Sequence, residues 1–459
     1  MQLFKLAKLD RRLAIENGAA LVQLQRQRLE KIVAYARQHS PFYRDLYQNL
    51  PEEGFSLTDL PPMTKPQLMA DFDAWATDRA VTRAGVDAFI RDKSRVGERY
   101  LGKYSVWTTS GTTGEPGIFL VDGLAQRLYN ALMIQRGYRS WLTWGGLGTM
   151  IRRGFHTAMI LAVGDHYAGA ANWVRMRREL SLFASRLMIF PILEPLPRIV
   201  QRLNAFQPVI IASYPSMLVL LAHEQTAGRL KIQPLMLNSL GEGLDENARG
   251  QIETAFPHSR LADIYATSEF LFIGFECEQH WLHVNSDWVL LEPVNEHNQL
   301  VPAGEPSADV LLTNLVNRVQ PLLRYALGGS VTLNTEPCAC GNPLPAVRVS
   351  GRTDEILYFP ATAGGVTGVL PMAIASVVEQ VPGVTRYQII QTAPEQIKIR
   401  LEVESGADRE TTWETMEADL RDFFLAQRAA PVQAILDEEE PQVNPVSGKF
   451  RHVYREFEL

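Results

Sequence analysis

Short apolar, β-branched runs alternate with helical runs through the middle of the chain, and that rhythm builds a fold around a parallel sheet. "PVIIASY" (residues 208–214) reads as a buried parallel strand, and "SMLVLLAHEQTAG" after it as a helix closed by Gly228. "LMLNSL" ends at Gly241, and a helix follows over residues 245–255. "SRLADIYATSE" is a further strand running into a loop. The expected class is α/β, with sites at the C-terminal ends of these strands.

At 459 residues the chain is too long for one ordinary core. A prior of roughly 100–200 residues per domain predicts two to four domains or subdomains. Residues 21–38 read as an amphipathic helix, with Leu24, Leu29, Ile32, Val33 and Ala36 on one face. Beyond Trp288 the pattern turns β-rich until "GRTDEIL" (residues 351–357) interrupts it. The remainder reads strand–helix–strand–strand–helix–strand, with helices over Pro371–Glu379 and 411–426 and strands over 387–391, 397–403 and 432–436. The expected division is a large N-terminal domain, 1–350, and a small α+β lid, 351–459.

A formal net charge of −6 argues against a nucleic-acid partner, which needs a basic face. The first residues are broken by Lys5, Lys8, Asp10, Arg11 and Arg12, and no apolar run approaches the ~20 residues that span a bilayer. The expectation is a cytoplasmic protein with no membrane partner. The oligomeric state is left open, a homodimer included.

"TTSGTTGEPG" (residues 108–117) sits between two apolar runs, "SVWTT" and "GIFLV". Its glycines permit close approach and positive φ angles. Backbone amides and the hydroxyls of Ser110, Thr112 and Thr113 supply donors to anionic oxygens. It is not a Walker loop, because no Gly-x4-Gly-Lys-Ser/Thr occurs in the chain. On composition alone a surface hairpin turn fits equally well.

Five downstream stretches bear on that choice: "SLGEGL" (239–244), "DIYATSE" (263–269), "PLLRYALGGSV" (321–331), "SGRTDEIL" (350–357) and "NPVSGKFRHVYR" (444–455). In this order and spacing the chain resembles the adenylate-forming ligases, most closely their phenylacetate–CoA ligase branch; "RLEKIVAYARQHSPFYRDLY" near the N-terminus is similar to that branch too. The resemblance covers nearly the whole chain. It implies that Ser110, Gly111, Thr112, Thr113 and Gly114 hold the β- and γ-phosphates of ATP. Gly241 and Glu242 would border the adenine, Tyr265 would stack on it, and Ser268 would reach the α-phosphate. Glu269 would hold Mg²⁺, a hard cation suited to a carboxylate. Arg352 would contact ribose or phosphate, and Thr353 and Asp354 would form the hinge. Lys449 would reach in from the lid to the bond being made. Tyr214, Pro215, Phe270 and Phe272 would wall the acid pocket.

These residue types suit the implied reaction, in which a carboxylate must approach an anionic α-phosphate. Cations and oriented amides offset that repulsion. A lysine on a mobile lid can serve one half-reaction and withdraw for the next. The acceptor implied is coenzyme A, with an amine or a carrier-protein thiol as alternatives. One position departs from the family pattern: Gly329 stands where an Asp usually takes the ribose hydroxyls, leaving Asp309 and Asp354 as stand-ins. That departure is the ground for a rival reading, a catalytically degenerate or partner-dependent homologue. Ala266, where Gly is frequent, is a smaller departure.

"CEQHWLH" offers Cys277 and His283, with His280 as an alternative, and "CACG" offers Cys338 and Cys340. Three thiolates and one imidazole make a tetrahedral zinc set, and a closed set of this kind is structural. Three unrelated buried thiols are the other reading of the same residues. A zinc-dependent hydrolase is disfavoured, because four protein ligands leave no open coordination position.

Overall fold

The computed structural model describes residues 18–109, 116–138, 144–350, 356–442 and 451–457. The apolar runs become the parallel half of a nine-stranded sheet. Its strands are β4 (Thr157–Leu161), β5 (Leu187–Pro191), β6 (Ile210–Ser213), β7 (Met236–Leu240) and β8 (Arg260–Tyr265), in the order β5-β4-β6-β7-β8. All four residues of β6 are buried, as a strand covered on both faces requires. Beyond β8 the sheet turns antiparallel through β9 (Gly274–Glu276), β10 (Leu282–Val284), β15 (Ala346–Ser350) and β14 (Ser330–Leu333).

The crossover helices start where their caps put them. The helix expected over 245–255 spans Glu246–Ala255, with the Asp245 carboxylate accepting from Ala248 N at 2.7 Å. The helix after β6 is Pro215–Thr226, and Gly228 follows it with φ +71°.

Two smaller sheets flank this one. β1 (Arg99–Tyr100), β2 (Tyr104–Thr108) and β3 (Ile118–Val121) form an antiparallel sheet, in which β2 and β3, the two apolar runs that flank "TTSGTTGEPG", pair with each other. β11 (Val289–Val294), β12 (Asp309–Asn314) and β13 (Tyr325–Ala326) form another.

From residue 357 onward there are two further sheets. β16 (Leu357–Pro360) and β17 (Val366–Val369) make a hairpin where a single strand was expected. β18 (Val384–Ala393), β19 (Gln396–Val403), β20 (Gln433–Leu436) and β21 (Val453–Arg455) form a sheet ordered β20-β19-β18-β21. The helices here are Pro371–Glu379 and Arg409–Ala426. Leu357, Phe359 and Ile374 share one apolar cluster with Ile211, Leu218 and Leu220 of the parallel-sheet layer. Gln427 Nε2 donates to Leu193 O at 3.0 Å across the same contact.

The helix expected over residues 21–38 spans Gly18–His39. It docks through Arg28, whose guanidinium lies 3.3 Å from the Trp288 ring centroid and donates to Asp287 O. Asp287 also receives Arg136 in a fully buried fork, with Nη1 and Nη2 each 2.7 Å from a carboxylate oxygen. Among the described residues, no helix is long and apolar enough to cross a membrane.

Candidate active site and metal centre

Ser110, Gly111, Thr112, Thr113 and Gly114 lie outside the described residues, as do Arg352, Thr353, Asp354 and Lys449. The foot of the first loop is described. Thr109 N donates to Gly117 O at 2.9 Å, and Gly117 N donates to the Thr109 hydroxyl at 2.8 Å. This reciprocal pair closes the loop at its base. Glycine is required at 117, since a Cβ there would stand 2.7 Å from the Phe119 ring. Thr108 N donates to His166 O at 2.9 Å, which ties the hairpin to the chain leaving β4.

The loop after β8 comes to the same place. Ser268 Oγ donates to Thr108 O at 3.4 Å, so the residue expected at the α-phosphate touches the foot of the Thr108–Gly117 loop. A tight turn, Thr267 N to Phe270 O and Phe270 N to Thr267 Oγ1, presents Glu269. Its carboxyl is buried and held above the usual carboxylate range by desolvation, with hydrogen bonds from Thr267 and Tyr325 and the charge of Lys65 acting against that rise. A buried carboxylate so placed gains from a cation, and its oxygens fit Mg²⁺.

Tyr265 ends β8 half-buried, and its hydroxyl is pushed up by burial and by the charges of Glu269 and Asp309. Gly241 follows β7 with φ +82°, and a Cβ there would meet Tyr214 Cε1 at 2.9 Å. The Glu242 carboxylate accepts from Ser216 N at 3.2 Å in the first turn of the Pro215–Thr226 helix. Tyr214 and Pro215 therefore sit beside Gly241 and Glu242 at the C-terminal ends of β6 and β7.

Two members of the expected aromatic wall do not join them. Phe270 is fully buried in the core, edge-on to Tyr129 with ring centroids 4.7 Å apart. Phe272 is buried against Phe275. Both were read as pocket residues because they follow Glu269, but the turn at Thr267–Phe270 aims the Phe270 ring into the core.

Three buried amides hold this arrangement and were missed in the sequence. Asn314 Nδ2 donates to Glu269 O at 3.1 Å and to the Tyr129 hydroxyl at 3.0 Å. Asn317 Nδ2 donates to Leu120 O at 2.8 Å, and Gln320 Oε1 accepts from Leu120 N at 2.6 Å, fixing β3. The signal was there in "TNLVNRVQP", three amide side chains in seven residues beside an apolar strand.

The cysteine constellation converges. The ligand atoms of Cys277, His283, Cys338 and Cys340 all lie within 4.8 Å of one another. Cys277 Sγ and Cys338 Sγ are 3.7 Å apart, and Cys340 Sγ and His283 Nε2 are 3.2 Å apart. Zn–S bonds of about 2.3 Å in a tetrahedron put sulfurs about 3.8 Å apart, so the donor set fits zinc. His283 Nδ1 pairs with Leu344 O at 2.8 Å, which leaves Nε2 aimed at the thiols. Gln279 N and Asn342 N each donate to a sulfur at 3.4 Å, and Gly341 takes φ +74° to turn the chain between them. Burial pushes the Cys277 thiol up to about 12 and raises Cys340 as well. Thiols so raised ionise only with a cation among them. His280 is not part of the set: it is exposed and pairs with Glu276 at 3.2 Å.

No family model matches the chain. It is 26% identical over 444 residues to the phenylacetate-coenzyme A ligase of Thermus thermophilus, covering 89% of this chain and 88% of that one. It is 22% identical over 422 residues to protein CapK of Staphylococcus aureus, covering 88% and 83%. Its fold matches that of 2-hydroxyisobutyryl-CoA ligase, solved with 2-HIB-AMP and CoA in the thioesterification state, with a TM-score of 0.60 at 20% identity over 97% of this chain and 92% of that one. In sequence the chain is similar to a phenylacetate-coenzyme A ligase, and in fold to a CoA ligase solved with 2-HIB-AMP and CoA.

Proposed function

We propose that the protein activates a carboxylic acid with ATP and passes the acyl group to coenzyme A. In the first step a carboxylate oxygen attacks the α-phosphorus, the bond to pyrophosphate breaks, and acyl-AMP forms. In the second a thiol sulfur attacks the acyl carbon, AMP leaves, and the thiol proton is lost. The observation that carries this reading is the meeting of Ser268 with Thr108, beside buried Glu269 and with Tyr265 at the end of the same strand. One corner so built offers a phosphate loop, a carboxylate for a metal and an aromatic face. The relatives support the reading, one being named a phenylacetate-coenzyme A ligase and another solved with an acyl-AMP and CoA.

In this reading the loop of Ser110, Gly111, Thr112, Thr113 and Gly114 takes the β- and γ-phosphates, and Glu269 holds Mg²⁺. Bound there, Mg²⁺ offsets charge on the phosphate oxygens. Gly241 and Glu242 border the adenine, Ser268 faces the α-phosphate, and Tyr214 and Pro215 flank the acid. Arg352 contacts the nucleotide, Asp354 lies at the hinge between residues 1–350 and 351–459, and Lys449 serves the adenylation step from the smaller domain. Cys277, His283, Cys338 and Cys340 hold a structural Zn²⁺.

Exchange of labelled pyrophosphate into ATP, dependent on added acid, tests the first step. Acid-dependent loss of the CoA thiol tests the second; if hydroxylamine captures the acyl group but CoA does not, the acceptor is an amine or a carrier protein. Gly329 favours the second reading, a partner-dependent or inactive homologue. Absence of exchange across a broad panel of acids, with no ATP binding by calorimetry, would replace the first reading with that one.

A further inference from the structure

We propose that Asp309 holds the ribose hydroxyls of the bound nucleotide, its carboxylate facing the open floor at Gly328 and Gly329; the proposal rests on the adenylation reading above. Asp309 opens β12, which pairs antiparallel with β13 through Leu311 and Ala326. Two residues further along that register Asp309 faces Gly328, and Gly328 N donates to Asp309 Oδ1 at 2.9 Å. Val310 N donates to the same oxygen at 2.6 Å. Both bonds fall on Oδ1. Among the described residues, Oδ2 receives no hydrogen bond and no cation pairs with it.

Half-burial takes part of the hydration from this carboxylate, and its second oxygen is left to water or to the donors of a ligand. That desolvation holds the Asp309 carboxyl above its ordinary range. The space beside it is clear. Gly328 and Gly329 take φ +76° and +99°, and a Cβ on either would meet nothing within 4 Å. The charge of Asp309 reaches Tyr265, the aromatic at the end of β8, and Tyr325, which hydrogen-bonds Glu269. Among the described residues, Glu269 and Asp309 are the two acids whose charge acts on Tyr265. Glu269 is buried and engaged with Thr267 and Tyr325, so Asp309 is the acid left for the sugar. A vicinal diol offers two O–H donors, and an ionised carboxylate offers only acceptors, which is why a single acidic residue so often takes a nucleotide ribose.

The test compares the dissociation constants of MgATP and Mg-2′,3′-dideoxy-ATP by calorimetry in wild type and Asp309→Asn. Wild type should prefer ATP by on the order of 10–100-fold, the range expected from one or two hydrogen bonds to a charged acceptor. Asp309→Asn keeps an oxygen for Gly328 N and Val310 N, and should remove most of that preference by weakening ATP while leaving the dideoxy analogue unchanged. An unchanged preference in the variant overturns the assignment of Asp309 and leaves the adenylation reading standing. If wild type binds neither nucleotide, the adenylation reading falls, and this proposal with it. Should Asp309→Asn lose its cooperative melting transition, Asp309→Ser, which retains an acceptor but no charge, carries the same expectation.

Discussion

The hydroxyl of Ser268 donates to the carbonyl of Thr108 at 3.4 Å, joining two loops separated by 160 residues of chain. Thr108 ends a strand of the small hairpin sheet, and Ser268 follows the last parallel strand of the large one. The loop after Thr109 is therefore anchored twice, once by its own closure through Gly117 and once by the sheet that carries Tyr265 and Glu269. Two sheets that differ in topology meet at this corner, and Gly241, at the end of β7, lies one strand over from Tyr265 at the end of β8.

Gly241→Ala should damage that corner selectively. The residue needs φ +82°, and a Cβ there would meet Tyr214 Cε1 at 2.9 Å. An aromatic ring packed at a helix start gives way poorly. Left-handed strain on a non-glycine residue costs about 1–3 kcal/mol. The variant should melt a few degrees lower and bind ATP and acid more weakly; unchanged binding by calorimetry would separate Gly241 from the site.

Asp287→Asn should be among the most damaging single substitutions far from the nucleotide. Asp287 is buried, receives both terminal nitrogens of buried Arg136, and lies 4.0 Å from Arg28. Removing its charge strands a guanidinium in the interior, and breaking a buried pair costs about 3–5 kcal/mol. Chemical denaturation should show a loss of that size, together with earlier proteolysis of the Gly18–His39 helix. A loss under about 1 kcal/mol would mean that water reaches the pair.

Asp263 gives a pH dependence with a defined sign. Burial, with the charge of Glu276, pushes its carboxyl up to about 7, while the Ser239 hydroxyl donates to it at 2.8 Å. The folded pKa lies above the unfolded one, so the unfolded chain releases this proton first. Stability is thus lost as pH rises from about 4 to about 7 and stays lower above that. At about 1.4 kcal/mol for each unit, the loss is a few kcal/mol. Asp263→Asn keeps the Ser239 bond and never ionises. Its stability relative to wild type should be near zero at pH 4 and rise to a plateau above pH 7, with the groups common to both proteins cancelling. A flat difference across that range would show that Asp263 ionises normally in the folded state.

The parallel strands were legible because a strand covered on both faces reads as a near-continuous apolar run, as "PVIIA" does. The Asp245 cap and the Gly228 stop were legible because they are local chemistry. The buried amides Asn314, Asn317 and Gln320 were not, since polar residues between strands ordinarily read as a solvated loop. Nor was the inward turn of Phe270, which depends on the Thr267 hydroxyl rather than on any periodicity. Lys65 was overlooked for a different reason: its charge reaches Glu269 from some 200 residues away in sequence, a relation that only the packing of β13 against residue 63 creates. The choice between His280 and His283 needed the strand, because β10 places His283 beside β15 and the later cysteines.

The cysteine cluster makes the last prediction. If Cys277, His283, Cys338 and Cys340 hold zinc as a closed tetrahedral set, purified protein should carry about one zinc per chain by elemental analysis. The cluster adds a clamp between β10 and the segment before β15, beside the pairing of His283 with Ala346 and the His283–Leu344 hydrogen bond. A strong chelator should therefore lower the melting temperature by about 5–10 °C, the shift that several kcal/mol produces in a domain of this size. Activity should fall only as the fold is lost, in contrast to a catalytic metal, whose removal spares the fold. Cys340→Ser and His283→Ala should lose the metal, whereas His280→Ala, exposed and paired with Glu276, should keep it. Metal retained in Cys340→Ser, or protein free of zinc from the outset, would reduce the cluster to three neighbouring thiols.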